Sequence, residues 1–158
     1  MTRHILCFIT FLAVTLIDVY AQQKNVIFII SDDHRYDAMG FMKKIPWLDT
    51  PGLDRLAAEG MHIRNAYVST ALCSPSRASV LTGMYAHSHT VVDNTAPEPE
   101  DIVYFPQLLQ KAGYQTAVVG KWHLGSDPTG FDYWNILVGQ GPYYNPPMIE
   151  NGTKSKRD

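Results

Sequence analysis

Cysteine is scarce in this chain of 158 residues: Cys7 and Cys73 are the only two. A framework of several disulfides, the usual staple of small secreted domains, is therefore excluded. Charge of one sign is lacking too. The net formal charge is −2 with 18% charged residues, so no global basic character argues for nucleic acid or an anionic membrane surface as a partner. Repeats and low-complexity tracts are absent, and a hydrophobic content of 46% describes a globular chain, not a disordered one. The apolar stretch Ile5 to Ile17 covers 13 residues, short of the ~20 that a membrane-spanning helix needs.

That stretch reads instead as the core of a secretory signal. Arg3 supplies a small basic region before it, and Val19-Tyr20-Ala21 places small residues for cleavage after Ala21. Residues 1–21 are therefore expected to be a signal peptide, and the protein to be exported (periplasmic, secreted or lysosomal according to host) without a stable membrane anchor. Cys7 lies too early for a lipoprotein site. Residues 22–158 then carry one cysteine, Cys73, which has no partner for an internal disulfide and is either a free thiol or a chemical handle.

Along the rest of the chain, apolar runs alternate with helical patterns. Val26-Ile27-Phe28-Ile29-Ile30 predicts a strand buried on both faces, ending abruptly at Asp32-Asp33-His34-Arg35. Thr50-Pro51 reads as a cap and first helical position, with Leu53, Leu56 and Ala57 as a stripe closed by Gly60. Ile63 to Val68 predicts another strand. Ala96 to Asp101 is a polar, proline-containing loop. Phe105 to Ala112 predicts a helix closed by Gly113, and Gln115 to Gly120 a buried strand from which Lys121-Trp122-His123 emerges. The segment Gly139 to Pro147 is turn-rich, Asn151 to Asp158 is polar and basic, and neither resembles an element that closes a sheet. The alternation predicts an α/β fold with a mainly parallel sheet flanked by helices. In such sheets ligands bind beyond the carboxyl ends of the strands, where both Asp32-Asp33 and Lys121-Trp122-His123 fall.

Cys73 opens a run that carries chemistry: Cys73-Ser74-Pro75-Ser76-Arg77-Ala78-Ser79-Val80-Leu81-Thr82-Gly83. Pro75 suits the first turn of a helix and Gly83 its end. Residue 73 then sits at a helix N-terminus, where unpaired N–H groups and the dipole favour an anion, with Arg77 about one turn further on. Asp32 and Asp33 are adjacent carboxylates that repel unless a cation or protonation offsets them, and hard oxygen ligands of this type suit Ca²⁺ or Mg²⁺. His34, Arg35, His87 and His89 read as structural or pocket-rim residues. His87-x-His89 has a spacing that places two side chains on one face of a strand, but soft nitrogen ligands are a poor match for a hard cation. Asn151-Gly152-Thr153 is a glycosylation sequon if the host is eukaryotic.

The Cys73 to Gly83 run, with Cys-x-Pro-Ser-Arg followed by Leu-Thr-Gly, resembles the signature of the type I sulfatases. Gly113 to Gly125, containing Gly120-Lys121-Trp122-His123-Leu124-Gly125, resembles that family's second signature. Asp32 to Gly40 and Phe131 to Asn135 are similar to sulfatases acting on carbohydrate sulfates, N-acetylglucosamine-6-sulfatase-like members among them. The resemblance implies an alkaline-phosphatase-like fold, incomplete in this chain, with residues 22–158 as the N-terminal part of a truncated catalytic domain. It also implies that a formylglycine-generating enzyme oxidises Cys73 to formylglycine. Asp32, Asp33 and Cys73 are then expected around a cation, Ca²⁺ rather than Mg²⁺, with Cys73, Arg77, Lys121 and His123 as the catalytic set. The aldehyde hydrate would attack the sulfur of a sulfate monoester and expel the alcohol, leaving a covalent sulfate ester that divides one hard displacement into two steps, and His123 would take the proton that releases sulfate. The expected substrate is a sulfated carbohydrate. Two alternatives stand beside this reading: a phosphonate or phosphodiester hydrolase of the same superfamily, and an inactive, secreted, truncated domain.

Overall fold

A computed structural model of the protein describes residues 23–156. The expected signal peptide and Cys7 lie outside the described residues. The chain divides into two units, residues 1–34 and 35–158.

In the first unit the run Val26 to Ile30 has no regular secondary structure and is not a strand. It has no ladder partner among the described residues, and its side chains are 47–85% exposed. The expectation of a buried strand is corrected here, for a physical reason. An apolar run selects extended backbone, but a strand also needs a neighbour to bond with. Asp32 and Asp33 form a turn after it, with Asp33 in the left-handed region at φ 53°.

Among the described residues the second unit holds a 3-10 turn (Gly40–Met42), four α-helices and one sheet. Helix α1 (Pro51–Glu59) starts at Pro51, as the fixed φ of proline favours. Thr50 precedes it without capping it. Its hydroxyl accepts the Gly40 N–H at 2.7 Å and donates to Asp54 Oδ1 at 2.9 Å, while Asp54 Oδ1 also accepts the Phe41 N–H at 2.8 Å. Ile63 to Val68 is exposed loop, broken by a turn at Arg64-Asn65, not the expected strand. Helix α2 (Cys73–Thr82) closes at Gly83, whose φ of 70° is the left-handed cap a side chain resists. A short helical turn, α3 (Ala86–His89), and α4 (Phe105–Lys111) follow, and both pack on α2.

The sheet runs in the order β1 (Ala117–Gly120), β2 (Tyr133–Leu137), β3 (Pro147–Glu150) and β4 (Thr153–Lys156). β1 and β2 are parallel, with Val118 opposite Trp134, and the other two pairings are antiparallel. The described sheet is thus mixed. Its last two strands correct the expectation that the end of the chain adds nothing to a sheet. Asn151-Gly152 links them with φ values of 43° and 84°, the pair of positive angles that a two-residue hairpin turn requires and that Asn-Gly supplies. Asn151 Oδ1 also accepts the Trp134 N–H at 2.9 Å, tying the turn back to β2.

The core is built on Tyr104, Trp122 and Ile136, with Leu81, Ile102, Val118, Leu124, Phe131, Trp134 and Ile149 packed around them. It joins the N-terminal end of α4, the segment after β1 and the middle of the sheet. Gly130 lets the chain pass close to α4. A Cβ there would lie 2.5 Å from Gln107 Cγ and 2.7 Å from its backbone nitrogen.

Candidate active site

The segment after β1 is shaped by Trp122. At 3% exposure the indole is enclosed, standing edge-on to Tyr104 (centroids 5.7 Å apart, 90°) and Phe131 (6.0 Å, 89°). Its Nε1–H donates to Ser126 O at 2.7 Å. With residue 122 anchored in the core, Lys121 and His123 are held on either side of it. Gly120 turns the chain out of β1 at φ 112°, and His123 adopts φ 53°.

Helix α2 meets this segment through side-chain contacts. Arg77 Nη1 donates to Lys121 O, Ser74 Oγ donates to His123 O at 2.5 Å, and Lys121 Nζ lies 3.5 Å from Cys73 Sγ. Cys73, Arg77, Lys121 and His123 are all half-buried. Of the residues singled out in the sequence, Lys121 and Cys73 meet through their side chains, Arg77 reaches the Lys121 carbonyl, and His123 is joined to α2 through its own carbonyl. His123 Nδ1 is closed to solvent.

The helix end differs from the expectation of open N–H groups. Pro75 has no N–H, the Ser76 N–H bonds Leu72 O at 2.9 Å, and the Ser74 N–H is taken by Asn94 Oδ1 at 3.0 Å. Little of the first turn is left to receive an anion, so positive charge at this point comes from the Lys121 and Arg77 side chains. Asn94 and Ser74 were not anticipated. The one local signal was Asp93-Asn94-Thr95, a turn-forming triplet in which Asp93 Oδ1 accepts the Thr95 and Ala96 N–H groups, both at 2.7 Å, and the Thr95 hydroxyl at 2.8 Å. These bonds, the Thr95 N–H foremost, hold the Asp93 carboxyl below its ordinary range.

Glu98 was likewise missed. Its carboxylate accepts the Gly125 N–H at 3.1 Å and the Ser126 hydroxyl, bracing the loop that follows His123. Burial, and next the charge of Glu98, push the Tyr104 phenol up from its ordinary value.

The histidines set aside as structural have structural surroundings. His89 is fully buried, its Nδ1 accepting the Val91 N–H at 3.2 Å, so the proton sits on Nε2 and is directed at Ser79 Oγ, 2.9 Å away. Burial holds it below the usual imidazole value. His87 stacks on Tyr85 at 5.8 Å. Both lie in α3, so the one-face spacing of a strand does not apply. Arg35 pairs with Asp37 at 2.8 Å.

Asp32 and Asp33 lie in the first unit with exposed side chains. Two carboxylates on a turn match the oxygen donors a hard cation takes, but a Ca²⁺ shell needs about six to eight oxygens. Among the described residues no group of three or more His, Cys, Asp or Glu side chains gathers to hold a metal. The pair does not by itself complete a donor set.

An α/β domain thus sets a cysteine at a helix start with a lysine ammonium 3.5 Å from its sulfur. A family model described as sulfatase matches residues 24–153, and the chain belongs to the sulfatase family. It is 46% identical over 134 residues to an N-acetylglucosamine-6-O-sulfatase of Bacteroides thetaiotaomicron, covering 83% of this chain and 24% of that protein. It is 38% identical over 145 residues to the N-acetylgalactosamine-6-sulfatase of Homo sapiens, covering 78% and 28%. Among solved structures it resembles BT4656 in complex with its substrate D-glucosamine-2-N,6-O-disulfate, with a TM-score of 0.82 and 44% identity over 87% of this chain and 28% of that one. The α/β fold is thus that of the alkaline-phosphatase-like sulfatases. The chain spans about a quarter of the length of these curated relatives.

Proposed function

We propose that the protein is an exported sulfuric ester hydrolase acting on sulfated carbohydrate, with Cys73, Arg77, Lys121 and His123 as its catalytic set. The observation that carries this reading is the approach of Lys121 Nζ to within 3.5 Å of Cys73 Sγ, with α2 bonded to the backbone of residues 121 and 123. The carbohydrate sulfatases among the relatives support the substrate class.

Oxidised to formylglycine by a generating enzyme, position 73 supplies an oxygen nucleophile in place of sulfur. Lys121 brings a positive charge to that atom and to the sulfuryl oxygens beside it, where charge stabilisation contributes most to rate. Arg77 joins α2 to the end of β1 through Lys121 O, keeping the nucleophile and the ammonium in register. His123, whose carbonyl accepts the Ser74 hydroxyl, is in this reading the group that moves a proton at position 73. Asp32 and Asp33 would contribute oxygen ligands to a Ca²⁺ ion, in preference to Mg²⁺. Such a cation would supply positive charge to offset that of a sulfate ester. Residues 1–21 serve as the export signal in this reading, and residues 22–158 belong to the catalytic domain.

The test is to coexpress the intact protein with a formylglycine-generating enzyme. Peptide mass spectrometry should show conversion at residue 73, and a 6-O-sulfated glucosamine should lose sulfate in a manner abolished by Cys73→Ala. Hydrolysis of a phosphate diester but not of the matched sulfate would replace this reading with the phosphodiesterase alternative. Full conversion without turnover of either ester would favour an inactive domain.

A further inference from the structure

We propose that Asn94 is a positioning residue for the nucleophile, and that its being neutral is part of its role. The inference rests on the sulfatase reading above and adds a residue to it. Asn94 sits in the loop between α3 and α4, remote in sequence from α2, yet its Oδ1 accepts the Ser74 N–H at 3.0 Å. Leu72, at the position before the helix, makes no side-chain cap. Asn94 therefore does from a distance what a local Ser, Asp or Asn does at most helix starts. Ser74 passes the restraint on, since its hydroxyl donates to His123 O. A single line of bonds runs from Asn94 through Ser74 to His123, and Lys121 Nζ lies 3.5 Å from the sulfur of Cys73, the neighbour of Ser74. Asp93 stiffens the support, folding the backbone around Asn94 through three bonds to Thr95 and Ala96.

The choice of amide over carboxylate is the informative part. As a cap alone, aspartate equals asparagine, and its charge gains from the helix dipole. An acidic side chain is thus no worse for the fold. It differs in placing a negative charge one residue from position 73, where a sulfate monoester must bring its own. Like charges at this range repel by an amount that outweighs the dipole gain. A neutral acceptor holds the helix without opposing the substrate.

The experiment compares Asn94→Asp, Asn94→Ser and Asn94→Ala with the parent in the intact protein, matched for formylglycine content by peptide mass spectrometry. Thermal stability and kcat/KM for a sulfate ester are measured at low and high salt. Asn94→Asp should melt no lower than the parent yet lose roughly tenfold or more in kcat/KM at low salt, with part of the loss recovered as salt screens the new charge. Asn94→Ser, a neutral acceptor, should stay within about threefold of the parent. Asn94→Ala should lose both stability and activity. An Asn94→Asp protein as active as the parent overturns the inference, as does a loss of activity in Asp and Ala variants that only follows their loss of folded protein. A parent that hydrolyses no sulfate ester overturns the sulfatase reading and this inference with it, so the two failures are distinguishable.

Discussion

Replacing Trp122 by phenylalanine should weaken the fold and the site together. The indole is 3% exposed, packs edge-on against Tyr104 and Phe131, and donates its Nε1–H to Ser126 O at 2.7 Å. Phenylalanine keeps an aromatic ring in the pocket but removes that hydrogen bond, worth about 1 kcal/mol net. It also withdraws roughly 40 Å² of apolar surface from the core, or about 1 kcal/mol at 25 cal/mol per Å². The sum, about 2 kcal/mol, should lower a urea midpoint by about 1 M for a slope near 2 kcal/mol per M. Trp122→Ala should cost about 3–5 kcal/mol. The functional consequence follows from chain connectivity. Lys121 and His123 flank the anchor, and their carbonyls receive Arg77 and Ser74, so a looser residue 122 shifts the ammonium relative to position 73. Small displacements of this kind reduce kcat on the order of tenfold to a hundredfold. Urea unfolding and sulfate-ester kinetics on the same preparation provide the check. An unchanged midpoint would refute the claim that Trp122 is the anchor, and a lowered midpoint with unchanged kcat would refute the link from anchor to site.

Two other outcomes follow from the packing. His89 is buried, and burial lowers its pKa from 6.5; its neutral form is favoured by folding, so its contribution is complete above the unfolded value and is lost as pH falls through the folded one. Stability measured from pH 8 down to pH 5 should therefore decline below about pH 6.5, and His89→Gln should remove that part of the decline while lowering stability at pH 8; an identical pH profile in the variant would contradict the assignment. Gly130→Ala places a Cβ 2.5 Å from Gln107 Cγ at a backbone φ of 80°, which should cost about 2–4 kcal/mol through strain and displacement of α4. A calorimetric scan showing no loss would mean that the loop relaxes freely.

Local signals in the sequence were enough for α1, α2 and α4. Pro51, Gly83 and Gly113 act on their own neighbourhoods, and prolines and glycines restrict or release backbone angles wherever they stand. Cys73, Arg77, Lys121 and His123 were singled out by the resemblance of two short runs to the sulfatase signatures, and α2 bonds to the segment that carries Lys121 and His123. Pairing was different. Val26 to Ile30 and Ile63 to Val68 have strand composition without a described ladder, because composition selects an extended chain but a ladder needs a second one. The reverse error fell at Asn151-Gly152, a hairpin turn between two unremarked strands, whose flanks lack the long apolar alternation that usually flags such strands. The supports of the site lay furthest from view. Asn94 reaches Ser74 across α3, and Glu98 reaches Gly125 and Ser126 across α4 and β1. A hydrogen bond between residues distant in sequence leaves no local pattern at either end. Residue identity settled which chemistry was available, and long-range packing settled which side chains hold that chemistry in place.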